Sequence, residues 1–167
     1  MSFSFLPRHI FDKLTDITPE ILKQFGVEAL LMDFDNTIVP YTSNLPADEV
    51  LAWFQAMRDS GIFLGVVSNS RKNRVVVFCA AHDIPCVTDS KKPFQKGIGQ
   101  AIRDFQLDPH RTALVGDQIF TDVLGGNCGG LISILITPIH LHNILLRLRN
   151  WIERPIIFAA RRRRYRD

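Results

Sequence analysis

The sequence predicts an α/β protein, one three-layer domain in which a parallel sheet lies between two layers of helices. Three observations predict it. Five short, mostly apolar runs, at 27–33, 62–67, 85–88, 112–116 and 131–137, have the continuous hydrophobicity of strands buried on both faces. Segments of helical spacing separate most of them, and right-handed crossovers between parallel strands then put helices on both faces. Polar residues follow four of the five runs directly, and an open α/β sheet places its ligands beyond the carboxyl ends of its strands.

In chain order, residues 1–17 mix aromatics with Pro7 and polar side chains and read as an irregular arm laid over the body. Thr18 suits a helix cap, Pro19 the first helical position, and Gly26 the stop before the first strand. Val50, Leu51, Phe54 and Met57 recur at helical spacing over 46–60, and Gly61 ends that helix. Further helices are predicted over 71–82, over 94–105 despite Gly97 and Gly99, and over 119–127, which four glycines at 125, 126, 129 and 130 bring to a stop. Trp53 and Phe54 belong to a core-facing stripe. The body is thus 1–139, and 140–167 is a separate basic stretch.

Length and composition narrow the functional classes. A chain of 167 residues suffices for one core and not for two ordinary domains, and 46% apolar with 22% charged residues excludes wholesale disorder. Cys79, Cys86 and Cys128 are odd in number and have no Cys-x-x-Cys spacing, which points to free thiols rather than a disulfide framework or a zinc site. The N-terminus lacks a signal-peptide pattern, and no apolar run reaches the ~18 residues of a membrane span. A cytoplasmic protein is expected. The net charge of +3 hides an asymmetry: 140–167 holds eight Arg against Glu153 and Asp167, a net of +6, so the body carries −3. A mildly acidic body is a poor nucleic-acid surface, and any polyanion would be met by the tail.

The candidate chemistry lies where the strands end. Asp33 and Asp35 follow the first strand, with Asn36 and Thr37 behind them. Ser68 and Asn69 follow the second, Lys91 and Lys92 the third, and Asp117 the fourth, with Asp122 five residues on. An isolated Asp-x-Asp is usually a solvated turn, but four coincident placements at one sheet edge are not. Carboxylates from two strands repel one another unless a cation joins them, and hard oxygen ligands suit Mg²⁺. A hydroxyl, an amide and an ammonium beside them suit a phosphate. His140 and His142 are best read as polar residues opening a last helix.

At these residues the sequence resembles the haloacid dehalogenase (HAD) superfamily of aspartate-nucleophile phosphatases. The carriers are Asp33-Phe-Asp35-Asn-Thr37, Ser68-Asn69, Lys92 before Pro93, and Gly116-Asp117-Gln118-Ile-Phe-Thr121-Asp122. The amino-terminal Leu-Pro, the Asp-Ile-Thr-Pro-Glu that follows it and the string at 116–127 are closer still to the YqeG-like branch. That branch is similar to phosphatidylglycerophosphate phosphatases. The resemblance implies a Rossmann-like fold with five parallel strands in the order 3-2-1-4-5. It also implies roles: Asp33 as nucleophile forming an aspartyl-phosphate, Asp35 as acid and then base, and Ser68, the Asn69 N–H and Lys92 as phosphate binders. Asp33, Asp117 and the carbonyl of Asp35 would ligate Mg²⁺, with Asp122 touching metal-bound water or orienting Lys92. Lys directly before Pro favours Lys92 over Lys91.

Eight residues between Thr37 and Pro46 and three between Thr88 and Lys92 leave no room for a cap domain, so the site should be open to a phosphate on something large. In the tail, Leu141, Ile144, Leu145, Leu148, Trp151 and Ile152 recur at spacings of three and four among arginines, and four consecutive Arg follow at 161–164. This pattern suits a basic amphipathic helix on an anionic membrane surface, or a stripe docked on the body with a solvated end. The leading expectation is therefore an Mg²⁺-dependent phosphomonoesterase of a membrane lipid phosphate such as phosphatidylglycerophosphate. A phosphatase of a soluble sugar phosphate or nucleotide is the alternative, and a non-catalytic RNA- or ribosome-binding protein of the same fold is a third reading.

Overall fold

The computed structural model describes residues 4–140 and 155–158. The apolar runs are strands, and the order along the chain is β1 (His9–Phe11), α1 (Pro19–Gln24), β2 (Ala29–Met32), α2 (Asp48–Asp59), β3 (Phe63–Val67), α3 (Asn73–Ala81), β4 (Cys86–Val87), α4 (Gln95–Asp104), β5 (Thr112–Gly116), α5 (Leu124–Gly129) and β6 (Ile132–Ile136). Every residue of β2, β5 and β6 is buried, as expected of strands covered on both faces. The sheet is parallel throughout, in the order β1-β6-β5-β2-β3-β4.

The five predicted strands thus keep the order 3-2-1-4-5, and a sixth is added at the edge. Residues 9–11, expected to be part of an irregular arm, pair with β6 in the register His9↔Ile134, Ile10↔Leu135, Phe11↔Ile136. The arm is further held by hydrogen bonds from Arg8 N–H to Ser133 O (3.0 Å) and from Asn127 Nδ2 to Ser4 O (2.7 Å). Such a strand leaves little trace in sequence, because three residues show no period and the pairing is made by main chain to a strand more than 120 residues away.

Alternation along the strands sorts side chains between the two layers. Leu30 and Met32 of β2 and Ala113 and Val115 of β5 join Trp53, Phe54 and Met57 of α2 and Val75, Phe78 and Cys79 of α3. Leu31 and Leu114 face the other way, onto Ile98 and Ala101 of α4. Trp53 also donates its indole N–H to Ile17 O (2.6 Å), so the core reading of that helix holds. The expected helix over 119–127 is in two parts. A wide π-type turn spans 119–123, in which Val123 N–H donates to Gln118 O (3.2 Å), and α5 follows. Wide turns of this kind recur at functional sites, and this one carries Asp122.

The predicted amphipathic segment, His142 and the Arg run lie outside the described residues. Between them, 155–158 form a helical turn in which Ile156 and Ile157 pack against Ile10, Ile119, Val123 and Leu135. Among the described residues no helix is long and apolar enough to cross a membrane.

Candidate active site

Strand order reverses at β2. The chain goes outward from it through β3 to β4, then returns across it to β5, which opens a crevice between the ends of β2 and β5. Asp33 is the first residue past β2, and its N–H donates to Val115 O (2.9 Å), which holds it against β5. Asp117 is the first residue past β5. Into this crevice comes Lys92, from the loop after β4.

The Lys92 ammonium has three N–H donors and three partners: Asp33 Oδ1 at 2.7 Å, Asp122 Oδ1 at 2.8 Å and Val67 O at 2.6 Å. Its side chain is 1% exposed. Burial alone would favour the neutral amine, but the Asp122 and Asp33 carboxylates outweigh it and hold the ammonium well above its usual range. Lys91 is the contrast. It is half exposed, with Nζ 3.0 Å from Asp89 Oδ1, and takes no part in the buried cluster.

Asp122 completes the cluster. Burial pushes its carboxyl up to about 6 against the opposing pull of Lys92, and its Oδ2 accepts the Gln118 N–H at 3.1 Å. It reaches this place only because residue 116 is glycine, since a Cβ there would overlap the Asp122 carboxylate. Oxygen atoms of Asp33, Asp117 and Asp122 all lie within 4.8 Å of one another, and all three residues are buried. Three carboxylates face one ammonium, an excess of two negative charges when all are ionised, and this is a fit for a divalent cation held by hard oxygens.

The loop after β3 shapes the opposite wall. Ser68 is buried, and its Oγ accepts the Ser70 N–H at 3.1 Å. The Asn69 side chain clasps the main chain of Lys92: Oδ1 accepts from Lys92 N–H (2.7 Å) and from Ser90 Oγ (2.8 Å), and Nδ2 donates to Lys92 O (3.0 Å). Asp35 is not in the carboxylate cluster. Its Oδ1 lies 3.1 Å from Arg74 Nη2, and burial raises its carboxyl above the usual carboxylate range, with Arg74 opposing.

A family model for haloacid dehalogenase-like hydrolases matches residues 8–130. The chain belongs to this family. It is also 34% identical over 160 residues to the "Probable phosphatase YqeG" of Bacillus subtilis (strain 168), a match that covers 95% of this chain and 93% of that one. Solved structures share the fold. An uncharacterized protein from Listeria monocytogenes serotype 4b gives a TM-score of 0.56 at 11% identity, over 71% of this chain and 84% of that one. The cobalt-bound deoxy-D-mannose-octulosonate 8-phosphate phosphatase of Haemophilus influenzae gives 0.53 at 11% identity, over 68% and 70%.

Seen as a haloacid dehalogenase-like hydrolase, the chain has no domain inserted between β2 and α2 or between β4 and α4. Of the residues singled out in the sequence, Asp33, Lys92, Asp117 and Asp122 converge directly. Ser68 and Asn69 come from the loop after β3, Asn69 bonded to the main chain of Lys92, and Asp35 has its carboxylate turned to Arg74. Three contributors escaped the sequence reading: Gly116 as the space for Asp122, the Asn69 side chain as the clasp on Lys92, and Arg74. The first was foreseeable from a glycine directly before a motif acid. The other two depend on which way a side chain points.

Proposed function

We propose that this chain is a Mg²⁺-dependent phosphomonoesterase that works through an aspartyl-phosphate on Asp33. The observation that carries the reading is the Asp33 carboxylate, held by Lys92 at the reversal of strand order with Asp35 two residues on. In the first step an Asp33 oxygen attacks phosphorus while Asp35 gives its proton to the departing oxygen. In the second, Asp35 takes a proton from the water that splits the aspartyl-phosphate, and both carboxyl groups return to their starting states. The Asn69 N–H and the Ser68 hydroxyl, whose Oγ is oriented by the Ser70 N–H, would hold phosphoryl oxygens. Asp33 and Asp117 with the Asp35 carbonyl would hold the cation, and Asp122 would keep Lys92 in place. When bound, the cation supplies the positive charge that lets an anionic substrate approach three carboxylates.

The substrate we propose is a phosphate carried by a membrane lipid, such as phosphatidylglycerophosphate. Short strand-to-helix connections support an open site. A groove of about 510 Å³ beside the Asp35 loop, lined by Leu14, Ile38, Pro40, Leu45 and Ile139 among others, supports an apolar portion of substrate. The likeness to "Probable phosphatase YqeG" supports the reaction class.

The test is phosphate release from lipid and soluble phosphomonoesters, with Mg²⁺ and with chelator, together with acid-quench trapping of the phosphoenzyme. Mg²⁺-dependent release from the lipid, and a trapped phosphate lost in Asp33→Asn, are expected. Wild-type turnover by Asp33→Asn would refute the nucleophile. Turnover of soluble esters alone would transfer the reading to a sugar phosphate or nucleotide.

A further inference from the structure

We propose that Arg74 is a positioning residue for the acid–base step, acting on Asp35 from α3 and tying down the loop that follows it. The guanidinium makes contacts of two kinds. Nη2 lies 3.1 Å from Asp35 Oδ1. The same group donates to three main-chain carbonyls of the β2–α2 loop, from Nη1 to Tyr41 O (2.8 Å) and from Nη2 to Ser43 O (3.0 Å) and Pro40 O (3.4 Å). Its carbon lies 5.1 Å from the ring centre of Phe34, the residue between the two motif aspartates.

Burial makes this arrangement informative. The Arg74 side chain is 14% exposed and that of Asp35 21%, and a pair withdrawn from water to this degree is costly unless geometry and further hydrogen bonds compensate. The planar fork supplies that compensation, reaching a carboxylate and a turn of chain at once, where the single ammonium of a lysine could not. The remainder of α3 has no call for a cation, since its buried positions are Val75, Phe78 and Cys79. Without Arg74, the Asp35 carboxylate loses its fixed partner and 40–43 lose three anchors, so a proton donor that must meet a leaving oxygen is no longer held in place. The inference rests on the acid–base role given to Asp35 above.

Leaving-group dependence tests it, because proton donation matters most when the departing alkoxide is basic. Turnover of a graded series of phosphomonoesters, from nitrophenyl to alkyl leaving groups, would be measured for Arg74→Met, Arg74→Lys, Asp35→Asn and the double variant Asp35→Asn/Arg74→Met. Arg74→Met should lower kcat/KM, which reports phosphoryl transfer to Asp33 and not the later hydrolysis in which Asp35 is the base, about 10–100-fold on alkyl esters and only about threefold on nitrophenyl esters. The double variant should be no slower than Asp35→Asn. Arg74→Lys keeps the charge without the fork, should fall between, and carries the test if Arg74→Met does not fold. A loss of kcat/KM uniform across leaving groups, or additive losses in the double variant, would overturn the inference. If Asp35→Asn itself shows no leaving-group dependence, the acid–base assignment falls. If Asp35→Asn shows it and neither Arg74 variant does, only the role of Arg74 falls.

Discussion

Asp122 packs its carboxylate against the bare α-carbon of Gly116, the last residue of β5, and from there pairs with Lys92 at 2.8 Å. The glycine therefore acts on the ammonium at one remove. Gly116→Ala places a Cβ where the carboxylate sits, so Asp122 must move and Lys92 loses one of its three partners. Overpacking of this kind costs about 1–3 kcal/mol. We expect a folded protein with a melting temperature lowered by roughly 2–10 °C and kcat/KM down by about 10²-fold. Unchanged kinetics in Gly116→Ala would mean that the Asp122–Lys92 contact does not matter to turnover.

Much of this geometry was legible in the sequence, and the legible part has one character. Apolar runs locate strands, and the loop after a parallel strand lies at its carboxyl edge, so the sequence alone brings Asp33, Asp117 and Lys92 to one edge. What stayed hidden depends on side-chain direction or on pairing by main chain. The orientation of Arg74, 39 positions from Asp35, follows from how α3 packs and not from spacing. β1 pairs through main-chain hydrogen bonds that any residues could make, and its buried Ile10 and Phe11 are too few to show a strand's period. The chain at 119–123 reads as an ordinary helix start because hydrophobic spacing does not distinguish a π-type turn from an α one.

Asn69→Ala removes the clasp on Lys92 and three hydrogen bonds with it. At about 0.5–1.5 kcal/mol each, the loss approaches 1.5–4.5 kcal/mol if none is replaced. Because the clasp grips main chain, the ammonium itself stays, on a less determined loop. The expected result is a lowered melting temperature and a fall of about 10²-fold in kcat/KM, read by calorimetry and by phosphate release. Asn69→Asp keeps the acceptor but loses the donor to Lys92 O and adds a charge, and should be the slower of the two.

The raised carboxyl of Asp122 makes a pH prediction with a definite sign. Its unfolded value is about 3.9 and its folded value about 6. Between the two, the unfolded chain has released a proton that the folded chain keeps, so this residue's contribution to stability falls as pH rises from about 4 to 6 and is level above that. The raised Asp35 carboxyl contributes with the same sign, whereas the raised Lys92 contributes a term that stays constant until pH nears about 10. In chelator, the stability advantage of wild type over Asp122→Asn should therefore shrink across pH 4–6, and saturating Mg²⁺ should remove most of that slope. Denaturant titrations of both proteins at a series of pH values measure it. A difference constant across the window would rule out the raised value.

The tail is where lipid and RNA readings part, and the structure says where to cut it. Ile156 and Ile157 pack on Ile119 and Val123, beneath the turn that carries Asp122, so removing everything from Pro155 would disturb the body as well as the charge. Removing only 159–167 deletes five Arg and one Asp, a net of +4, and leaves that contact intact. At about 1 kcal/mol per basic residue near an anionic leaflet, the truncation should weaken binding to anionic vesicles by up to roughly 10³-fold, with added salt acting in the same direction. Hydrolysis of a small soluble phosphate ester should continue, since Asp33, Lys92, Asp117 and Asp122 all come from the body between 33 and 122, while turnover of lipid phosphate in the same vesicles should drop. Co-sedimentation unaltered by the truncation would rule out a membrane role for the arginines, and loss of RNA binding in its place would move the tail to the third reading.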